Sequence, residues 1–456
     1  MLLDKKILVL KEHNHYYYKG CHKDYLRKCY VWEDKLQVPS PYIYIDNAVC
    51  FKVSAQYKED IVDTLQFETS YYIGLQYVKE WKIPVLVEPK VNNDFSRLDF
   101  LGMLTEALTE AENFNHLEGL MSVDYNAEWI EIPSKNNIEL TPFLVIQFLM
   151  AVKQIVQKGL KKSYYKKTEN LKNRVKGKIL IGQQIKHNVF KNKLNNTVCH
   201  YEVFGYDTLE NQFIKYVLQE IYSYVELFES DLKKQLIDLL RFNLAPFYQV
   251  SDKKFRSFDK KEKNPFYKIY NNAFELGNQI LILKDQSYSN ASEQTKKYPP
   301  HWIDMSKLFE LFVYKKLREK FTGNEEVQYH TKANYQELDF IINSGEFKAV
   351  VDAKYKPRYE NGNPTKEDAR QLSGYSRLSK IYEILNIKDD RIIPVYFIYP
   401  KNLNPITVSS NEETEETEEI QSTTPDYCIL DNNSRVVKAY KKMFMQEVSL
   451  KVLPNL

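Results

Sequence analysis

The stretch Glu346–Lys356, EFKAVVDAKYK, sets a carboxylate and an ammonium two residues apart on what reads as a buried strand. Alternate side chains of a strand project to one face, so Val350, Asp352 and Lys354 point the same way. The segment ELDFII, which carries Asp339, reads as a second strand joined to the first by NSGE. With Gly345 and Glu346 as a two-residue hairpin, glycine first as in a type II′ turn, Ile342 pairs with Ala349 and Asp339 falls opposite Asp352. Directly opposite Cβ atoms lie about 5 Å apart, and like charges there repel. A hard divalent cation relieves that repulsion, because Mg²⁺ takes carboxylate oxygens. Such a cation stabilises charge developing on a phosphate, beside an ammonium that can orient or help deprotonate an attacking water. The plainer alternative is a surface ion pair of Asp352 with Lys354 or Lys348, a kind that contributes little.

The flanking elements could complete this site. WIDMSKLFELFVYKKLREKF has helical spacing, with Met305, Leu308, Phe309, Phe312, Val313 and Leu317 on its core face and Glu310 as a further acid. KEDARQLSGYSRLSKIYEIL reads as one helix despite Gly374, with Gln371 and Tyr375 four apart and hence on one face. RIIPVYFIYP is the next strand. Helix, strand, strand, helix, strand describes an α/β unit with a mixed sheet.

The set Glu310, Asp339, Asp352-Ala353-Lys354, and Gln371 with Tyr375 resembles the PD-(D/E)xK nuclease core in its QxxxY variant, although Leu338 replaces the proline. Further segments resemble the McrC family: SYYIGLQYVKEWKIPVLVEPKV, ending in Pro89-Lys90; RVKGKILIGQQIKHN and YDTLENQFIKYVLQEI, with Gly177, Asp207 and Asn211; and MSKLFELFVYKKL. That resemblance implies the endonuclease subunit of a modification-dependent restriction system, acting on methylated DNA and stimulating a hexameric McrB-like AAA+ GTPase. It implies Asp339, Asp352 and the Ala353 carbonyl as ligands of Mg²⁺, with Mn²⁺ as the alternative. Lys354 would position the water, and Gln371, Tyr375 and Glu310 would support the site. The chain has no GxxxxGK[ST] sequence, so no nucleotide is expected on it and a motor must come from a partner. A stand-alone nuclease of this fold, or a non-cleaving DNA-binding adaptor that activates an NTPase, are the competing readings.

A length of 456 residues with 43% hydrophobic content suggests two or three domains. Residues 1–118 read as a β-rich partner-docking domain, 119–298 as a mainly helical middle domain, and 299–456 as the nuclease domain, a multidomain α+β chain overall. Near residue 98, Leu98, Leu101, Leu104 and Leu108 suggest a helix; Thr141-Pro142 suggests the start of a buried one; and VVKAYKKMFMQEV reads as helical. Residues 411–419, NEETEETEE, are acidic and of low complexity, as in a spacer loop.

The net charge of +3 does not announce nucleic acid. Local clusters say more: Lys158, Lys161, Lys162, Lys166 and Lys167 around Tyr164 and Tyr165, and Lys253, Lys254, Arg256, Lys260, Lys261 and Lys263 among Phe255 and Phe258. Such interleaving suits phosphate contact with base stacking, or else is a solvated surface. Lys253, Lys254, Arg256 and Lys356 are the candidate DNA contacts. Five cysteines without a CxxC pair make a disulfide framework unexpected, and His13, His15, Cys21, His22 and Cys29 fit no common zinc spacing. No apolar run spans a membrane and no secretion signal opens the chain, so a cytoplasmic protein is expected.

Overall fold

In the computed structural model, the described residues are 7–19, 42–45, 48–58, 61–78, 83–93, 96–124, 127–133, 141–225, 230–289, 295–323, 325–334, 336–345, 347–356, 364–401, 430 and 434–454. The chain is mixed α/β and forms two compact units, one from Met1–Asn137 with Gln294–Leu456, the other Ile138–Glu293. The expected segments 1–118 and 299–456 thus belong to one unit, and the sheets show why.

A five-stranded sheet runs in the order Leu8–Lys11, Ile83–Glu88, Tyr72–Val78, His301–Asp304, Met121–Val123. Its fourth strand comes from the distant C-terminal part of the chain and pairs antiparallel on both sides. Gly74 permits the approach, since a Cβ there would meet the His301 carbonyl oxygen at 2.0 Å. Near the other end, Val452–Pro454 pairs with Ser96–Leu98. A four-stranded antiparallel sheet (His15–Lys19, Ile61–Thr69, Ala48–Lys58, Tyr42–Ile45) completes the N-terminal β structure.

The C-terminal sheet has six strands: Val327–Ala333, Gln336–Ser344, Phe347–Ala353, Val395–Pro400, Met443–Val448, Arg435–Val436. Pairing is antiparallel at the two ends and parallel on both sides of Val395–Pro400, so the sheet is mixed as expected. Its central strands are near-continuous apolar runs, as strands covered on both faces require. The helix Met305–Lys320 starts at Asp304, whose carboxylate caps the Lys307 amide. All six residues of its expected core face are buried, as are Leu311, Tyr314 and Lys316. A second helix, Lys366–Tyr375, buries Ala369, Leu372 and Tyr375 with Leu338, Ile341, Val350 and Phe397.

Three local expectations are corrected. VVKAYKKMFMQEV is not helical: it turns at Lys442, whose φ is +53°, into the strand Met443–Val448, where Met443, Met445 and Val448 are buried. The parallel partner strand outweighs the helical spacing. The helix after Lys354 is two: Lys366–Tyr375 ends at Ser376, and Leu378, extended, opens Ser379–Ile384. Gly374 and Ser376 weaken continuity. Leu98 ends a strand, and Asp99 caps the helix Phe100–Ala107, which buries Met103, Leu104 and Ala107. Residues 411–419 lie outside the described residues.

The second unit is Ile138–Glu293 rather than the expected 119–298; it carries the helices Thr141–Lys158, Leu209–Val225, Ser230–Leu244 and Tyr270–Ser289 and also a three-stranded antiparallel sheet, Ser163–Lys172, Asn196–Gly205 and Lys178–Ile179. The residues singled out there hold the fold. Gly177 has φ +65° and no room for a Cβ beside His200. Asp207 accepts from the Ser251 amide at 2.8 Å and hydroxyl at 2.7 Å. Buried Asn211 donates to the Lys161 and Tyr206 carbonyls and accepts from the Tyr270 hydroxyl at 2.9 Å. Among the described residues no helix is long and apolar enough to cross a membrane.

Candidate active site

The hairpin forms in the expected register. Ser344 pairs with Phe347, Ile342 with Ala349 and Phe340 with Val351, and Gly345 has φ +53°. One step beyond the last pair, Asp339 lies opposite Asp352. There the Asp339 carboxylate accepts from the Ala353 amide at 2.8 Å. Asp352 is 2% exposed. Its buried Oδ2 is ion-paired with the Lys354 ammonium at 3.0 Å. Lys354 in turn donates to Gln371 Oε1 at 3.3 Å, and Gln371 donates to the Tyr375 hydroxyl at 2.5 Å.

Glu310 enters from the helix Met305–Lys320 and accepts from the Tyr329 hydroxyl at 3.3 Å. His330 Nε2 is also 3.3 Å from Glu310. Residues flanking His330 pair with the next strand, Tyr329 with Phe340 and Thr331 with Leu338, but His330 itself is skipped and has φ +52°. His330 thus interrupts the ladder in the left-handed region, a conformation that costs a non-glycine residue. Sequence reading passed over it because an edge-strand histidine carries no spacing signal.

The electrostatics follow from crowding. Burial, Asp352 and Glu310 raise Asp339 well above the usual carboxylate range, against the pull of Lys354 and the Ala353 amide. Burial also raises Asp352, with Lys354 opposing. Burial alone would lower Lys354, but Asp352 and Asp339 outweigh it and hold the ammonium above its ordinary range. Two crowded carboxylates, one of them also answered by an ammonium, are a donor set that suits a hard divalent cation. Among the described residues no group of three or more His, Cys, Asp or Glu is arranged to hold a metal. Mg²⁺ needs no such cage, since it keeps several waters and takes one or two carboxylates.

All six candidate catalytic residues therefore converge. Lys356 stands beside them, in an ion pair with buried Asp368 at 2.8 Å. Lys253, Lys254 and Arg256 are exposed residues of the second unit. The basic clusters there are partly structural. Lys161 pairs with Glu210 at 2.8 Å and with Glu262, and Lys260 pairs with the same Glu210 at 2.6 Å. Phe258 is buried against Phe213 and Phe274 rather than presented for base stacking. Tyr164 is 72% exposed.

A family model described as the McrBC 5-methylcytosine restriction system component matches residues 68–385. The chain belongs to this McrBC family. The matched span takes in the acidic pair, Lys354 and the Gln371–Tyr375 helix of this McrBC-family chain. No curated protein matches it. Among solved structures it is similar to a half-complex from a tetradecameric assembly of Thermococcus gammatolerans McrB AAA+ hexamers with bound McrC, at 15% identity and TM-score 0.35, covering 97% of this chain and 94% of that one. It is also similar to the cryo-EM structure of the Thermococcus gammatolerans McrBC complex, at 16% identity and TM-score 0.27, covering 69% and 88%.

Proposed function

We propose that this chain is the metal-dependent DNA endonuclease subunit of a modification-dependent restriction complex, with a PD-(D/E)xK active site at residues 310–375. The observation that carries the reading is the placement of Asp339 against Asp352 and the Ala353 amide, with Lys354 on the same edge. Asp339, Asp352 and the Ala353 carbonyl would hold Mg²⁺ or Mn²⁺. When bound, such an ion supplies Lewis acidity toward the scissile phosphate. The chain's own residues do the rest. Lys354, held protonated by its two acidic neighbours, orients the attacking water and offsets charge on the phosphate. Gln371, itself fixed by Tyr375, sets the direction of that ammonium. Glu310 supports the edge through Tyr329 and His330. Lys356, paired with Asp368, is a proposed DNA contact at the same edge.

Family membership supports a restriction role, and the partner would be an AAA+ GTPase of the McrB type. An exposed apolar surface in the second unit suits a protein partner: Ile181, Ile185 and Val189 recur four apart, with Phe190 81% and Leu194 72% exposed. Lys253, Lys254 and Arg256 are proposed DNA contacts.

The test is cleavage of methylated and unmethylated plasmid with Mg²⁺, with and without the AAA+ partner and GTP. Cleavage confined to methylated DNA with partner and GTP is the expected result. Cleavage by the chain alone would make it an independent nuclease. No cleavage by the wild-type complex under any of these conditions would favour the adaptor reading.

A further inference from the structure

Lys90 lies at the end of the strand Ile83–Glu88, in the Pro89-Lys90 pair, and reaches across the first unit to the segment that follows Lys354. Its ammonium donates to the Tyr355 carbonyl at 2.5 Å, a contact between residues 265 apart in sequence. That ammonium also stands 3.9 Å from the Tyr355 ring centroid and 4.6 Å from that of Tyr71. The other end of Lys90 is held as firmly. Its amide donates to Glu12 Oε1 at 3.1 Å, and the Glu12 amide donates to the Glu88 carbonyl at 2.9 Å. Tyr355 is itself buried and packs on Phe309 of the Met305–Lys320 helix.

We propose that Lys90 is a positioning residue for the active site proposed above: by fixing the Tyr355 carbonyl it holds the strand end that presents Asp352, Ala353 and Lys354. The inference rests on the endonuclease reading for its effect on cleavage, and on geometry alone for its effect on the backbone.

The backbone shows why such a clamp matters. Ladder pairing ends at Ala353. The Lys354 amide still donates to the Ile398 carbonyl at 2.8 Å, and the Lys356 amide turns back onto the Lys354 carbonyl at 2.6 Å. Beyond the sheet edge the Tyr355 carbonyl is held by the Lys90 ammonium, between the tight turn at Lys354–Lys356 and the side-chain anchors of Tyr355 on Phe309 and of Lys356 on Asp368. A charge-assisted hydrogen bond in a buried setting is roughly twice as strong as a neutral one. Cation–π contact with two tyrosines fixes the ammonium laterally. Retaining a cation here is costly, since burial draws Lys90 down to about 8 with Glu12 opposing. A side chain needed only to fill space would be served by methionine.

The experiment compares Lys90→Met, which keeps the length and removes the donor and charge, with Lys90→Arg. Hydrogen exchange is measured on the peptide Val350–Lys356, and cleavage kinetics are measured in the complete complex. Lys90→Met should raise exchange at the Lys354–Lys356 amides and lower kcat about tenfold to a hundredfold, the range for outer-shell supports. KM for DNA and the exchange of the second unit should stay unchanged, and Lys90→Arg should restore most of both losses. Unaltered exchange and unaltered kcat in a folded Lys90→Met protein would overturn the proposal, as would a loss confined to KM. Should Lys90→Met fail to fold, Lys90→Gln retains a donor without charge, and the same two measurements decide. If the wild-type complex cleaves nothing, the endonuclease reading falls, while exchange at Lys354–Lys356 still decides whether Lys90 holds that segment.

Discussion

The Asp339 carboxylate accepts a hydrogen bond from the Ala353 amide at 2.8 Å, so the acid on one strand is anchored to the backbone of the strand that bears its partner acid. Asp339 cannot swing away from Asp352 without losing that bond. The pair is held in mutual repulsion, relieved by protonation or by a cation. Asp339→Asn should therefore raise the melting temperature in metal-free buffer and abolish the further rise that Mg²⁺ gives the wild type. Cleavage should fall by roughly a hundredfold or more. Thermal melts with and without Mg²⁺ check the first two outcomes without any appeal to activity.

Lys354→Ala should lose cleavage to a similar extent, roughly a hundredfold, yet leave stimulation of the partner's GTPase intact. Because the Lys354 ammonium answers the two carboxylates, its removal should also lower metal-free stability. Single-turnover cleavage and a GTPase assay on one preparation separate the effects; equal loss of both activities would contradict the assignment.

The second unit should be acid-labile through Glu210, which has 3% of its side chain exposed and pairs with Lys161 and Lys260. Burial would raise this carboxylate, but the two lysines overcome it and bring it down to about 2. A depressed folded-state value contributes stability that is complete above the ordinary glutamate range and is lost as pH falls toward about 2. Glu210→Gln should cost about 3 kcal/mol at pH 7, the scale for breaking a buried pair, and the gap to wild type should shrink below pH 4.5. Urea unfolding across that range measures it.

Gly74→Ala should be among the most damaging methyl additions in the first unit. The added Cβ meets the His301 carbonyl at 2.0 Å and the Trp302 Cα at 2.9 Å, both backbone atoms of a central strand that cannot yield cheaply. A loss of about 3 kcal/mol is expected, the upper end for overpacking, read as a fall in the denaturant midpoint.

Phe190→Glu should leave stability within about 0.5 kcal/mol, as an exposed change does, while weakening association with the AAA+ partner. Unchanged binding in a pull-down or by calorimetry would move the docking surface elsewhere.

The hairpin was legible in the sequence because its evidence is local. A glycine-led two-residue turn fixes register, and register places Asp339 opposite Asp352 without any long-range information. Gln371 and Tyr375 were legible for the same reason, being one helical turn apart. The strand Met443–Val448 was not, because its identity depends on a parallel partner forty-odd residues away. Nor was the union of the two chain ends, since nothing local in HWID marks it as the neighbour of Tyr72–Val78. The lysine clusters misled in part for the same reason: whether Lys161 faces solvent or two glutamates is decided by residues fifty and a hundred positions away.

The strand His301–Asp304, seated between Tyr72–Val78 and Met121–Val123, also constrains how the protein is born on the ribosome. The N-terminal sheet cannot close until residue 304 has left the exit tunnel, whereas Ile138–Glu293 is continuous in sequence and has all its parts sooner. Until then the growing chain exposes two unpaired strand edges, the kind of surface that recruits neighbouring chains. A message truncated before codon 301 would therefore yield a chain whose middle unit folds while its N-terminal strands aggregate.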